Sequence, residues 1–267
     1  MDVRIIQKAV RDAGFDGWLF CDFHNRDAIA YRILGMDFEK FTSRRWFYLV
    51  PATGEPVRLV SKVEPSRLDA LPGEKRFYLS WRDLAEELEK LLRGKLVAMQ
   101  YSPDDAIPYV SLVDAGMLDL VRAAGARIAS SADLVQIFEA VIDEDGYASH
   151  VKAGELIHAI KDEAFALIGD SIRGGREITE YDVQRFIIRR FEEEGLDCMG
   201  EFPIVGVNGH PSDPHFEPTP ANTVAIREGD TVLIDLWAKL ASPGAIFYDI
   251  TWVGFVGTNP PEEYVKI

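Results

Sequence analysis

The run Val232-Leu233-Ile234-Asp235-Leu236-Trp237 carries most of the information about the fold. It is typical of a buried strand with one carboxylate inside it, and the run Ile246-Phe247-Tyr248-Asp249-Ile250-Thr251-Trp252 repeats the arrangement. A buried, unpaired carboxylate costs several kcal/mol unless a cation or strong hydrogen-bond donors meet it. Two such strands in succession therefore predict a shared cation.

The residues between the two runs include Pro243-Gly244, a turn signal that favours an antiparallel hairpin. A hairpin centred near Ser242 would place Asp235 directly opposite Asp249. Opposed side chains on one sheet face have Cβ atoms about 4.5 to 5.5 Å apart, so two carboxylates there repel each other without a cation between them. Oxygen ligands favour Mn, Mg or Ca, and an added imidazole extends the choice to Zn, Co or Fe. The alternative, in which each aspartate pairs with a basic side chain or backbone N–H groups, stays open.

Short motifs follow one another in the same region: Phe202-Pro203-Ile204-Val205, Asn208-Gly209, Pro214-His215-Phe216, Pro218-Thr219, Glu228 to Asp235, and Asp249-Ile250-Thr251. In this order they resemble the creatinase/aminopeptidase P/prolidase family of metallopeptidases, the M24 or pita-bread group. The resemblance implies that Asp235 is a bidentate ligand to one metal ion and that Asp249 bridges two. It also implies that His215 is a catalytic residue, which stabilises the substrate carbonyl as it becomes tetrahedral. His210, in the same loop, is a candidate substrate-binding residue.

The sequence departs from the family pattern in three places. Trp237 stands where a glycine is common, and Trp252 stands where an arginine is usual. The resemblance implies three further ligands, one His and two Glu, but the sequence ends at Ile267 before any such segment. We therefore expect the sequence to be part of a longer polypeptide.

Composition excludes several classes of protein. A chain of 267 residues, 47% hydrophobic and 27% charged, is ordinary globular material, and a formal charge of −15 makes a nucleic-acid partner unfavourable. Cys21 and Cys198 lie far apart without a CxxC pattern, which favours a reducing compartment, although a single disulfide stays open. The first ten residues lack a signal-peptide apolar region and no run approaches the length of a membrane span, so we expect a cytoplasmic protein without a membrane partner.

Residues 1–130 alternate between helical and strand patterns and predict an α/β domain, which resembles the amino-terminal domain of creatinase-type proteins. The family resemblance implies a homodimer in which this region reaches the neighbouring active site. His24 is thus a candidate substrate-binding residue, with a structural histidine as the alternative. Arg44-Arg45 could clamp a substrate carboxylate, with a solvated pair of charges as the alternative. The predicted elements are helices at 2–13, 81–93 and 108–124 and strands at 15–20, 46–50, 57–61, 95–100 and 126–129.

Residues 131–267 change to long helices followed by the two aspartate-bearing strands. Helices are predicted at 147–172 and at 179–194, the second with Thr179 as its N-cap and Asp182 three residues later. The predicted fold is therefore an α/β creatinase-type domain followed by an α+β pita-bread catalytic domain, incomplete in this chain.

The predicted function is metal-dependent hydrolysis of an N-terminal Xaa-Pro-type peptide bond, as in an aminopeptidase or dipeptidase. The expected cofactors are two divalent ions, Mn, Co, Fe or Zn, and the expected substrate is a short peptide. Two alternatives stay open: a metal-free pita-bread protein that serves binding or assembly, and a creatinase-like C–N hydrolase. A glycosidase is disfavoured, because nothing in the sequence suggests a sugar cleft between an acid and a base.

Overall fold

The computed structural model describes residues 2–266 and divides the chain into two compact units, Met1–Val141 and Ile142–Ile267. The division lies later in the chain than the expected boundary near residue 130. A helix over Ala132–Glu139 accounts for the difference, because its Leu134 and Val135 are buried in the core of the first unit.

The first unit is built on a six-stranded sheet in the order β4-β3-β2-β1-β5-β6. β1 pairs antiparallel with β2 and parallel with β5, so the sheet is mixed. Its elements are α1 (Val3–Asp12), β1 (Gly17–Asp22), α2 (Ala28–Leu34), β2 (Trp46–Pro51), β3 (Val57–Ser61), β4 (Glu74–Tyr78), α3 (Trp81–Leu92), β5 (Leu96–Met99), α4 (Ala115–Ala123), β6 (Arg127–Ser130) and α5 (Ala132–Glu139).

Both faces of this sheet are covered. Along β1, Trp18 and Phe20 point into one apolar core, and Leu19 and Cys21 point into the other. Successive strand residues face opposite sides of a sheet, so a strand that is buried throughout must have packing partners on both sides. Helices α1, α2 and α5 supply the first core, and α3 and α4 supply the second.

The predicted helix over 108–124 was wrong in its first half. Pro108–Val110 forms only a short 3-10 turn, and the helix α4 begins at Ala115. The reason is the N-cap at Asp114, whose side chain accepts a hydrogen bond from the amide of Met117. The sequence patterns also missed α5 and the strand β4.

The second unit places two long helices against one face of a four-stranded sheet. Its elements are α6 (Glu144–Arg173), α7 (Glu180–Glu193), β7 (Leu196–Asp197), β8 (Ile204–Val207), β9 (Thr231–Leu240), β10 (Tyr248–Phe255) and α8 (Glu262–Val265). β9 is central, with β10 on one side and both β7 and β8 on the other. The helices predicted at 147–172 and 179–194 correspond to α6 and α7, and the predicted N-cap at Thr179 is present with its capping box.

One face of this second sheet forms the core with the helices. Val232, Ile234, Leu236 and Ala238 of β9 are fully buried in it. Helix α6 approaches β10 closely, because a Cβ atom at Gly154 would lie only 2.7 Å from the ring of Tyr248. The alternate residues of β9 and β10 therefore lie on the opposite face, which we call the open face. Within residues 2–266, no helix is long and apolar enough to cross a membrane.

Candidate active site

The two aspartates of the predicted site lie on the open face, but not directly opposite each other. Asp235 pairs with Thr251, and Asp249 pairs with Trp237. The prediction of direct opposition was wrong because Tyr248 pairs with Ala238, which centres the hairpin on residue 243 rather than on Ser242. Moving the centre by one residue shifts the pairing register by two, so the opposed pair becomes a pair of diagonal neighbours, which in antiparallel sheets lie about 7 to 8 Å apart.

Asp235 is the better enclosed of the two carboxylates. It is half-buried, and it lies between Ile204 on β8 and Thr251 on β10. The hydroxyl of Thr251 donates a hydrogen bond to Asp235 Oδ1 at 2.5 Å. This contact holds one oxygen of the carboxylate in place.

Asp249 is exposed, so the prediction that its strand is mostly buried was wrong. β10 is an edge strand of the described sheet, and its odd-numbered residues lie on the open face, where no described element covers them. Partial desolvation, followed by the charge of Asp235, raises the pKa of Asp249. The negative charge of Asp235 therefore makes ionisation of Asp249 less favourable.

Asp235 and Asp249 can supply some of the ligands of a metal site, but not a complete set. Neither Asp235 nor Asp249 forms an ion pair with a lysine or arginine in the described chain, so both remain available to a cation. Carboxylate oxygens are suitable ligands for hard divalent ions. Across residues 2–266, however, no group of three or more His, Cys, Asp or Glu side chains is arranged to hold a metal ion.

The two tryptophans that depart from the family pattern have different surroundings. Trp252 pairs with Ile234 on the helix-covered face, where the ammonium of Lys161 lies 4.1 Å from its ring centroid. Trp237 lies on the open face, directly across from Asp249. Only Trp237 can therefore influence what approaches the aspartates.

His215, the predicted catalytic residue, lies in the long loop between β8 and β9 and is exposed. Its backbone amide donates to Asp213 Oδ1 at 3.0 Å. The next residue, Phe216, is buried. The imidazole is therefore accessible, while the chain beside it is anchored.

His210 precedes it in the same loop and has a partner that the sequence patterns did not reveal. Its Nδ1 lies 2.7 Å from Oε1 of Glu180, the first residue of α7, whose side chain is fully buried. An acidic residue in the first turn of a helix is commonplace, because it favours the helix dipole. No pattern therefore separated this buried glutamate from an exposed one.

His24 lies in the first unit, in the turn after β1. It is exposed, has a φ of 62° and packs its ring against Phe23, with centroids 4.2 Å apart. Asn25 also has a positive φ, so two successive residues adopt the left-handed conformation. The substrate-binding role of His24 stays a prediction.

Comparisons with known proteins find a family model that matches part of the chain. Residues 148–267 match the family model described as metallopeptidase family M24. No curated protein matches the chain significantly. The predicted resemblance to M24 is confirmed.

Solved structures give the same answer for the fold. The chain is similar to a prolidase from Thermococcus sibiricus, with a TM-score of 0.58 at 20% identity, and to the dipeptidase PepE from Mycobacterium ulcerans, with a TM-score of 0.61 at 19% identity. These matches cover 100% and 99% of this chain but 68% and 66% of the other chains, so the chain spans about two thirds of their length.

A third structure is an X-prolyl aminopeptidase from Caenorhabditis elegans, described as a cytosolic enzyme with a di-nuclear active site. Its TM-score is 0.61 at 13% identity, over 99% of this chain and 42% of that one. The predicted fold class, an α/β domain followed by a pita-bread domain, is confirmed. The family match also supports a peptidase.

Proposed function

Because residues 148–267 match the M24 metallopeptidases, we propose that this chain is part of a metal-dependent enzyme. The enzyme hydrolyses N-terminal Xaa-Pro-type bonds in short peptides. One observation carries the proposal: Asp235 and Asp249 share the open face of the β9–β10 hairpin, and neither has a basic partner among residues 2–266. The prolidase and dipeptidase structures that share the fold favour this substrate class.

In this proposal the aspartates hold divalent ions, of which manganese, cobalt, iron and zinc are the candidates. When bound, such ions supply Lewis acidity toward a carbonyl and make a water molecule more acidic. Thr251 orients Asp235 through its hydroxyl. His215 donates a hydrogen bond to the oxygen of the scissile carbonyl as negative charge develops on it. Further ligands beyond the two aspartates are required, since two carboxylates leave most coordination positions to water.

The distribution of charge supports a cation-binding role for the second unit. Residues 1–141 contain 19 Lys and Arg against 21 Asp and Glu, a net charge of −2, whereas residues 142–267 contain 10 against 23, a net charge of −13. A strongly negative unit raises the local concentration of divalent cations around it. The first unit, which is nearly neutral, provides no such field.

The test measures metal content and turnover in the same samples. Manganese binding is measured by calorimetry on the metal-stripped protein, and release of the first residue from Xaa-Pro peptides is measured after manganese, cobalt, iron or zinc is added. The wild type should bind metal and release the residue, and Asp235→Asn and Asp249→Asn should each abolish both. Asp170→Asn is the matched control, because Asp170 is an exposed carboxylate on α6 that pairs with Arg173.

The outcomes separate the proposal from its rivals. Retention of stoichiometric metal by Asp235→Asn would contradict the assignment of the ligands. A wild type that binds no metal and releases no residue would favour the metal-free binding protein, and hydrolysis of a small C–N substrate without metal would favour the creatinase-like alternative. We also propose a homodimer that works in the cytoplasm, and light scattering coupled to gel filtration tests the oligomeric state.

A further inference from the structure

Glu180 occupies the point where both ends of the histidine-bearing loop meet helix α7. We define the His215 loop as residues 208–224, which follow β8 directly and are separated from the start of β9 by six residues. The backbone amide of Val207 donates to Glu180 Oε1 at 2.7 Å, and the amide of Val224 donates to Oε2 at 3.0 Å. One buried carboxylate thus binds the residue before the loop and the last residue of the loop.

A third donor reaches the same carboxylate from inside the loop. His210 Nδ1 lies 2.7 Å from Glu180 Oε1. Because Glu180 is fully buried, its charge requires these donors, and each hydrogen bond to it is stronger than one between neutral groups. The loop is therefore fastened at its two ends and at one internal position.

His210, which contacts Glu180, also contacts the residue next to His215. The imidazole of His210 packs on the ring of Phe216, with centroids 4.2 Å apart and planes inclined by 33°. Phe216 is buried and follows His215 in the chain. A continuous series of contacts therefore joins Glu180, His210 and Phe216 to the backbone of His215.

We propose that Glu180 and His210 are positioning residues, which hold the His215 loop in the conformation that presents His215 to the substrate. The proposal deepens the proposed function, on which it rests for the role of His215. The hydrogen bond between the imidazole and the carboxylate is the essential contact. The packing of His210 on Phe216 is an additional contact, on which the hydrogen bond does not depend.

Two substitutions at His210 separate the hydrogen bond from the ring contact. His210→Asn keeps a nitrogen donor near the position of Nδ1 but loses the ring, whereas His210→Phe keeps a ring but loses the donor. Glu180→Gln is less suitable alone, because its amide nitrogen would meet a backbone donor and could prevent folding. His215→Ala is the matched control, since it removes an exposed side chain from the same loop without touching the Glu180 contacts.

Hydrogen exchange of the full-length protein measures the loop without requiring activity. The informative amides are those of Ser212, Asp213 and Phe216, which are hydrogen-bonded within the loop. In His210→Phe their exchange should become about tenfold faster, as expected when one hydrogen bond to a charged group is lost. Exchange in α6 and β9 should not change. His210→Asn and His215→Ala should exchange like the wild type.

Turnover of an Xaa-Pro peptide provides the second measurement. His210→Phe should lower kcat while KM stays within about twofold, because a displaced His215 loses an interaction made in the transition state. His210→Asn should restore kcat, and His215→Ala should lose activity without a faster loop. If the wild type has no peptidase activity, the proposed function fails and exchange alone decides the positioning role. Wild-type exchange in His210→Phe would overturn that role, whatever the activity.

Discussion

Each unit contains a pair of neighbouring aspartates, and the two pairs have opposite surroundings. In the first unit, Asp22 and Asp27 lie at the end of β1 and the start of α2, and both are buried. In the second unit, Asp235 and Asp249 lie on the open face of the hairpin, and Asp249 is exposed. The pair singled out by its apolar neighbours in the sequence is thus the more exposed pair.

The buried pair is stabilised by the protein itself. Asp22 Oδ1 accepts hydrogen bonds from the amides of Arg26 and Asp27, and Asp22 Oδ2 lies 3.1 Å from the hydroxyl of Tyr31. Asp27 Oδ1 accepts from the amide of Ala30, but its Oδ2 has no partner within the described residues. Burial, followed by the charge of Asp22, raises the pKa of Asp27 from 3.8 to about 7.

Burial in the fold, rather than apolar neighbours in sequence, therefore sets the free-energy cost of a charged carboxylate. Both pairs include a carboxylate with a raised pKa, and burial raises that of Asp27 to about 7. The first pair is buried away from ligands, and all of its carboxylate oxygens except Asp27 Oδ2 have hydrogen-bond partners within the protein. The second pair has few internal partners and is open, which is the arrangement that a binding site requires.

The largest expected effect is in the buried pair. Asp27→Asn removes a charge that folding disfavours and keeps an N-cap acceptor for Ala30. Because the pKa of Asp27 is raised in the folded state, the wild type loses stability as the pH rises from about 4 to 7. Asp27→Asn should therefore raise the free energy of unfolding by about 2 to 4 kcal/mol at pH 8. The gain should shrink toward pH 4, which urea unfolding across this range measures.

The exposed N-cap Asp114 provides the control for that experiment. Asp114→Asn should produce no comparable gain that depends on pH. An equal gain in both variants would show that a general reduction of negative charge, rather than burial of Asp27, explains the result.

A second substitution removes a hydrogen-bond partner from the buried pair. Tyr31→Phe leaves Asp22 Oδ2 and Arg67 without the hydroxyl that contacts both. The free energy of unfolding should fall by about 1 to 3 kcal/mol, the range for a buried charged group that loses a partner. Tyr48→Phe is the matched control, because the hydroxyl of Tyr48 contacts only a backbone carbonyl, that of Pro72. A similar loss of unfolding free energy in both variants would show that the hydrogen bond to the Asp22 carboxylate contributes no more than one to a backbone carbonyl.

On the open face, Thr251→Val should weaken metal binding rather than folding. The change removes the hydroxyl that donates to Asp235 Oδ1. Manganese affinity should fall about fivefold, which corresponds to about 1 kcal/mol for one hydrogen bond. Thr251→Ser keeps the hydroxyl and should bind like the wild type. Calorimetry on the metal-stripped proteins measures this, and unchanged affinity in Thr251→Val would show that the carboxylate needs no orientation.

The smallest effect concerns the repulsion between the open pair. The folded protein binds a proton at Asp249 more readily than the unfolded chain does, so stability is lost as the pH rises through the raised pKa. Asp235→Asn removes the repelling charge. At pH 7 with a chelator present, it should stabilise the protein by a few tenths of a kcal/mol, because water screens an exposed pair. The gain should disappear in high salt, and a gain that persists there would have another origin.

Several features were predictable because they depend on residues close together in the chain. The capping box of Thr179 and Asp182 starts α7 through contacts between residues three apart. The apolar run of β9 also predicted a strand with one carboxylate on it. The exact hairpin register was not predictable, because it depends on how seven loop residues between Leu240 and Tyr248 fold. Moving the hairpin centre by one residue shifts the register by two and takes Asp249 out of direct opposition to Asp235.

The amino-acid sequence indicated two parts, a family resemblance and two candidate aspartates, since motifs and periodicity are properties of neighbouring residues. Which carboxylates are buried depends on the tertiary structure. Glu180 meets Val207, Val224 and His210 from distant parts of the chain, and Asp27 lies in a packed interior. Burial is set by contacts between segments far apart in sequence, so the cost of a charge is settled only when those segments pack together.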